Sequence, residues 1–247
     1  MTPSYRVIAL RMGRLHIDQA ALDRAGSGAD KLGTPIWCAA VEGNGHRLVV
    51  DTGIATIDWT GRCVMPCVRE KDESIDTALC ELGWDVASVD IVVNTHLHYD
   101  HCGGNHLFPH ARFFVSAREW DYAQAPIATQ AIIYDQAWLQ GGLNYFSYEL
   151  TQDHFEILPG IRAILTPGHT PGQQSVLVNT NEGVVAIAGD AVKIAENVRP
   201  GIPPAIVHNT VDALASIQRI KNHADYFLTG HDPDVRKYQD HSFRPTK

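Results

Sequence analysis

The chain has 247 residues, 45% apolar and 19% charged, with a formal net charge of −8. This is ordinary globular composition, no apolar run approaches the roughly 18 residues a membrane-spanning helix needs, and no block of Lys and Arg offers a footprint for nucleic acid. One domain, residues 1–247, accommodates the length; the expected partner is a small-molecule substrate, with no nucleic acid, no membrane, and a homodimer left open.

The opening stretch MTPSYRVIALRMGRL lacks the charged, apolar and small-residue succession of a secretory signal, so a cytoplasmic setting is expected. Residues 5–10 (YRVIAL) and 36–41 (within PIWCAAV) read as strands, and EGNGHRLVVDTG adds a hairpin turn at Asn44-Gly45 and a return strand ending at Asp51. KDESIDTALCELGW carries apolar residues at Ile75, Ala78, Leu79 and Leu82, a helical spacing with Asp72 or Ser74 as cap and Gly83 as stop. VDIVVNT is a buried strand, ARFFVS another, and SAREWDYAQA a helix capped by Ser116. Residues 125–150 hold no clean period and read as an irregular or helical insertion near the site. Short β runs punctuated by Gly and Pro follow, with TVDALASIQRIKNHA as an amphipathic helix before DYFLTGHD. Strands in sets with helices between them indicate a layered α/β fold. The five cysteines, Cys38, Cys63, Cys67, Cys80 and Cys102, fit reduced thiols rather than a disulfide scaffold, and Cys63 and Cys67 have no second pair to complete a zinc site.

The chemistry gathers where apolar runs end. DIVVNT leads into His96, His98, Asp100 and His101; IRAILTPG into His169; VVAIAG into Asp190; DYFLTG into His231. Strand ends along one sheet edge are where α/β proteins converge their functional groups, so these seven side chains form a site rather than a scatter of surface polar residues. In an extended segment residues two apart face the same way, which lets His96 and His98 share one ion while Asp100 and His101 turn toward another. Imidazole and carboxylate ligands suit zinc and its first-row neighbours, and a carboxylate bridging both ions completes a two-metal centre. His16, His46, His106, His110, His154, His223 and His241 read individually as surface or core histidines.

THLHYDH, followed in order by TPGHTPG, AGDA and TGHD, resembles the metallo-β-lactamase superfamily over nearly the whole chain. LGTPIWCAAVEG, LVVDTG, HCGGN, TPGHTPGQQSVLV and TGHDPDV further resemble the quorum-quenching N-acyl-homoserine lactonase branch and related small-lactone hydrolases. The resemblance implies an αββα sandwich of two mixed sheets flanked by helices. It implies two divalent ions, zinc first with Mn, Fe or Co admitted: His96, His98 and His169 on one, Asp100, His101 and His231 on the other, Asp190 bridging. It further implies a bridging hydroxide as nucleophile and Asp100 as the group handing a proton to the leaving oxygen. Asp51 in VVDTG lies at a position that resembles one near the family's site; the residues alone leave it either as a partner orienting a ligand histidine or as a turn former.

One position departs from the branch. A tyrosine three residues after the bridging aspartate is usual there, but this chain reads Asp190-Ala191-Val192-Lys193. An ammonium there can support an oxyanion or bind a substrate carboxylate, so Lys193 joins Asp100 as a candidate catalytic residue; the alternative is a solvated lysine at a helix start. The expected reaction is lactone opening on an N-acyl-homoserine lactone-like substrate, with a different lactone, ester or cyclic amide bearing a polar or anionic group next, and a thioester lower because only sixteen residues follow His231. No G-x-S-x-G elbow argues for a serine nucleophile, and Cys102 reads as packing. Gln173, where the branch often has histidine, is expected outside the ligand set. His208 and the aromatic residues Tyr134, Trp138, Tyr145, Phe146 and Tyr148 either wall a pocket or pack.

Overall fold

Apolar residues alternate along the first strand until a glycine interrupts them. The computed structural model describes residues 3–18, 21–22, 31–54, 67–134 and 146–233. Strand β1 runs Arg6–Asp18 and pairs antiparallel with β2, Lys31–Gly43. Ile8, Leu10 and Met12 face one side; after a register shift between Arg11 and Arg14, Leu15 and Ile17 take over that same side. The irregularity at Gly13 thus changes the phase of the alternation by one residue. The strand continues past Leu10, where the period seen in sequence stops.

Strand β3, His46–Val50, returns from β2 through Asn44 (φ 54°) and Gly45 (φ 83°), both left-handed as a two-residue hairpin turn requires. Next come β4 (Cys67–Val68), helix α1 (Ile75–Glu81) and β5 (Ile91–Val93). A one-turn helix α2 (Tyr99–Cys102), β6 (Arg112–Ser116), helix α3 (Ala117–Gln124) and β7 (Tyr148–Thr151) follow. These seven strands make one mixed sheet in the order β4-β1-β2-β3-β5-β6-β7. Strands β8 (Phe155–Leu158), β9 (Ile161–Leu165), β10 (Gln174–Thr180), β11 (Gly183–Gly189) and β12 (Tyr226–Thr229) make a second, ordered β12-β11-β10-β9-β8, with helix α4 (Thr210–His223) between its last two strands.

The two sheets face each other across Trp37, Ala39, Val41, Val50, Val93 and Phe114 from the first and Ile161, Ala163, Val176, Val178 and Ile187 from the second. Outside the first sheet, Ile36, Cys38, Val49, Val92 and Val115 pack on Ile75, Ala78 and Leu79 of α1 and Ala123 of α3. Outside the second, Ile164, Leu177 and Ala186 pack on Ile217 and Ile220 of α4. Two mixed sheets flanked by helices are the αββα arrangement expected. Among the described residues no helix is long and apolar enough to cross a membrane.

Two local expectations need correction, and one open alternative is resolved. Ser74 is the cap position of α1, but its hydroxyl bonds Thr77 Oγ1 rather than a backbone amide. Residues 125–150 are not wholly irregular or helical: Ala131–Tyr134 is a 3₁₀ turn, but Tyr148–Thr151 is an edge strand parallel to β6. Phe146 and Tyr148 pack on Phe113 with ring centroids 5.0 and 5.7 Å away, so they are core; Trp138 and Tyr145 lie outside the described residues, as do Cys63 and His241.

The loop after β9 lies directly on the start of α3. Ser116 caps that helix, accepting from Glu119 N at 3.0 Å and donating to Gly172 O. A Cβ at Gly172 would stand 1.9 Å from Glu119 N, a backbone atom that cannot swing aside. Gly172→Ala is expected to destabilise the protein by roughly 1–3 kcal/mol, read as a lower urea midpoint at unchanged m-value.

Candidate metal centre

Strands β9, β11 and β12 run in the same direction, because β10 is antiparallel to β9 and β11 and β12 is parallel to β11. Their C-terminal ends therefore share one edge of the second sheet and deliver His169, Asp190 and His231. Strand β5 delivers the histidine cluster from the first sheet. Backbone bonds lock the loops together: Gln174 N donates to Thr95 O, Gly230 N to Val192 O and His231 N to Lys193 O.

The cluster is not extended throughout. His98 (φ −72°, ψ 152°) is the last extended residue and the N-cap of α2, so a helical turn, not strand alternation, presents Asp100 and His101. All seven predicted side chains come together, each no more than 5% exposed. Three groups of ligand-capable atoms form, each with its atoms within 4.8 Å of one another: His96, His98 and His169; Asp100, His101 and His231; and His96, His101 and Asp190. In the first, His98 Nδ1 lies 3.1 Å from both His96 Nε2 and His169 Nε2. Asp190 spans the first two groups: Oδ1 is 3.3 Å from His101 Nε2 and 3.0 Å from His231 Nε2, while Oδ2 is 3.2 Å from His169 Nε2.

The outward ring nitrogens fix how these rings point. His169 Nδ1 donates to Ile206 O and His231 Nδ1 to Pro35 O, both at 2.8 Å, leaving each Nε2 with its lone pair inward. Asp51 serves two rings at once. Its Oδ2 accepts from His101 Nδ1 at 2.8 Å and from Thr95 Oγ1 at 2.7 Å, and the Thr95 oxygen in turn faces His96 Nδ1 at 3.1 Å. Asp51 also sits at φ 61°. Of the two readings of this residue, its hydrogen bonds to His101 and Thr95 favour the orienting partner.

The electrostatics suit cations. Burial holds the His96 and His98 imidazoles well below their ordinary pKa, and burial with the Lys193 charge brings His169 down to about 3, so this triad is neutral, the form that binds metal. At His101 burial acts in the same direction, but Asp100, Asp190 and Asp51 overcome it and raise the pKa well above normal. Burial would raise the Asp190 carboxyl, yet His231, Lys193, His169 and His101 hold it well below the usual range. His101 Nε2, His231 Nε2 and Asp190 Oδ1 are buried and face one another at 3.0–3.3 Å, yet among the described residues none of them makes a hydrogen bond of good geometry. Buried polar atoms left without a hydrogen bond are costly, and three of them converging fit a donor set shaped for a cation.

Lys193 is not solvated: it is 4% exposed, and its Nζ lies 2.6 Å from Asp190 Oδ2. That overturns the solvated-lysine alternative, because the backbone around it is pinned by Asn197 Oδ1 and by His231 N, turning the side chain inward. Tyr134 does not wall an open pocket. Its ring stands edge-on to His98 with centroids 4.6 Å apart and its hydroxyl donates to Glu119. His208 is exposed at the rim, its amide bonded to His169 O and its ring 5.5 Å from Tyr122. Gln173 is fully buried and donates to Ala188 O. Cys102 is buried with its thiol pKa pushed well up by burial and neighbouring carboxylates, which suits packing.

Sequence reasoning missed Glu119, fully buried and bonded to both ligand loops. The available signal was Ser116 followed three residues later by Glu119, a capping-box spacing. The hydroxyl caps as that pattern says, but the carboxylate turns into the protein.

The four layers and the two adjoining triads of histidine and carboxylate define a metallo-β-lactamase-type hydrolase scaffold. The family model for the metallo-beta-lactamase superfamily matches residues 33–238, and the chain belongs to that superfamily. Among characterised relatives, it is 32% identical over 238 residues to the N-acyl homoserine lactonase AttM of Rhizobium radiobacter, covering 85% of this chain and 86% of that one. It is 28% identical over 221 residues to an N-acyl homoserine lactonase of Bacillus cereus, covering 85% and 84%. A solved N-acyl homoserine lactone hydrolase with the product N-hexanoyl-L-homoserine at its catalytic metal centre superposes with a TM-score of 0.81 at 25% identity, covering 96% of each chain.

Asp51→Asn keeps the shape of the carboxylate but removes its charge. It is expected to lower divalent-metal affinity about 10–100-fold, as loss of a ligand-orienting partner does, measured by competition with a chromophoric chelator.

Proposed function

We propose that this protein is a dinuclear metal-dependent hydrolase that opens the ring of an N-acyl homoserine lactone-like substrate. The observation that carries the reading is the division of Asp190 between two triads, Oδ1 toward His101 and His231 and Oδ2 toward His169. The lactonase names of the relatives point the same way.

In this reading His96, His98 and His169 would hold one ion and Asp100, His101 and His231 the second, with Asp190 serving both sets. Nitrogen and carboxylate donors favour zinc, with Mn, Fe or Co accepted by the same set. When bound, two divalent ions would supply Lewis acidity and make a hydrolytic nucleophile available near neutral pH. The chain supplies the rest. Asp51 and Thr95 keep the His96 and His101 rings aimed, and Asp190 fixes the spacing of the triads. Asp100 is the carboxylate at the edge, its Oδ2 3.6 Å from His101 Nε2 and 3.9 Å from His231 Nε2. Beside its place in that set, this carboxylate at the edge would carry a proton to the ring oxygen as the C–O bond breaks.

A second reading concerns substrate identity and rests on Lys193. A buried ammonium beside Asp190 adds positive charge to the face of the site where the lactonase branch has a neutral phenol. Such a charge favours a lactone, ester or cyclic amide that carries an anionic or strongly polar group. A thioester remains lower.

Proton release on a panel of short- and long-chain acyl-homoserine lactones, a carboxylate-bearing lactone, an aryl ester, a cyclic amide and a phosphodiester tests both readings. Turnover of the homoserine lactones, lost on chelation and restored by zinc, is expected. Turnover confined to the phosphodiester would overturn lactone opening. Lys193→Ala is expected to lower kcat/KM on the preferred substrate by roughly 10²-fold, the scale of losing one charge-stabilising donor; an unchanged value removes Lys193 from the mechanism.

A further inference from the structure

Glu119 is a carboxylate with 0% exposure, three residues into α3 and outside the ligand set. A buried carboxylate persists only when donors satisfy its lone pairs, so its partners reveal its task. Oε1 accepts from Leu97 N at 3.0 Å and from Tyr134 Oη at 2.7 Å, and Oε2 accepts from Thr170 Oγ1 at 2.5 Å.

Each donor is tied to the first triad. Leu97 N belongs to the peptide joining His96 to Leu97, directly ahead of His98, so that bond sets the backbone carrying two of the three rings. Thr170 directly follows His169. Tyr134 is the ring standing edge-on to His98 at 4.6 Å, on the one histidine of the triad whose outer nitrogen, Nε2, has no hydrogen-bond partner. The other outer nitrogens of the triad are held, His169 by Ile206 O and His96 by Thr95. His98 instead depends on packing, and Glu119 positions the ring that packs on it.

We infer that Glu119 is a positioning residue for the His96–His98–His169 half of the centre: one carboxylate on α3 holds the β5 loop, the β9 loop and Tyr134 in the arrangement that converges three imidazole nitrogens. The inference rests on the metal-centre reading above. It separates the two halves of the site, because among the described residues no hydrogen bond from Glu119 reaches Asp100, His101 or His231.

The test measures metal affinity rather than turnover. Zinc is titrated against a chromophoric chelator in two backgrounds, His231→Ala, which leaves the first triad complete, and His169→Ala, which leaves the second. Glu119→Gln keeps volume but replaces one accepting oxygen by a donor. In the His231→Ala background it is expected to weaken zinc about 10–100-fold, and in the His169→Ala background to leave affinity unchanged. Thr170→Val removes one bond without touching the carboxylate, so it serves if Glu119→Gln fails to fold; it should act on the same half by a smaller factor, with Thr170→Ser restoring wild-type affinity. An equal loss in both backgrounds, or none in either, overturns the inference and identifies Glu119 as general scaffolding. Wild-type protein that takes up two zinc ions while Glu119→Gln matches it sinks only this inference; wild-type protein that takes up none sinks the metal-centre reading with it.

Discussion

The two oxygens of Asp190 face different triads, and the rest of the site is arranged around that division. Oδ1 serves His101 and His231 while Oδ2 serves His169 and Lys193. Such a carboxylate cannot be placed by local propensity. It needs β11 to end level with β9 and β12 on one sheet, and β5 of the other sheet to arrive opposite. Right-handed strand twist and short loops supply the first condition, and the hydrophobic layer between the sheets supplies the second. Packing between Val93 and Phe114 on one side and Val176 and Ile187 on the other thereby sets distances within the site, although none of these residues touches it.

Bringing imidazoles and carboxylates together away from water is costly, and the fold offsets the cost by giving nearly every outward-facing polar atom a partner. Asp51 and Glu119 divide that work. Asp51, in a left-handed conformation at the end of β3, reaches His101 directly and His96 through Thr95. Glu119, from a helix on the far side of the first sheet, reaches the same loop through Leu97 N and the His169 loop through Thr170. The two carboxylates approach the histidine loop from different directions, so its backbone and its rings are specified independently. Ligands held in this way lose little freedom on binding an ion.

Much of this was legible in sequence because strand ends and metal-ligand chemistry both leave short, dense signals. His96, His98, Asp100 and His101 follow one apolar run, His169, Asp190 and His231 follow three others, and the structure brings all seven together. What was not legible has a common cause: it depends on contacts distant in the chain. The extension of β1 past Leu10 is masked by the phase change at Gly13, since a bulge destroys the period by which a strand is recognised. The helical presentation of Asp100 and His101 is too short for a period of its own, and the extended reading reached the same grouping for a different geometric reason. Glu119 carries a signal that is locally correct and globally incomplete. Ser116 does cap α3, and nothing near it in sequence says that the carboxylate three residues on will meet Leu97 and Thr170 instead of the helix end.

Lys193 is the position where local and global demands disagree most. A lysine buried to 4% exposure gives up the hydration of its ammonium, and its contact with Asp190 does not make that arrangement better for stability than a well-packed neutral side chain would be. A tyrosine would fill comparable space, present a hydroxyl toward the same carboxylate, and add no charge. The lysine's field also helps to lower His169, which keeps that imidazole neutral, and Asp190, which keeps that carboxylate ionised. A residue that makes its own surroundings harder to populate with cations, in a site otherwise built to receive them, is best accounted for by something that arrives with negative charge. The substrate is the one component of the proposed reaction free to bring it, and this is the physical ground for looking beyond neutral acyl lactones.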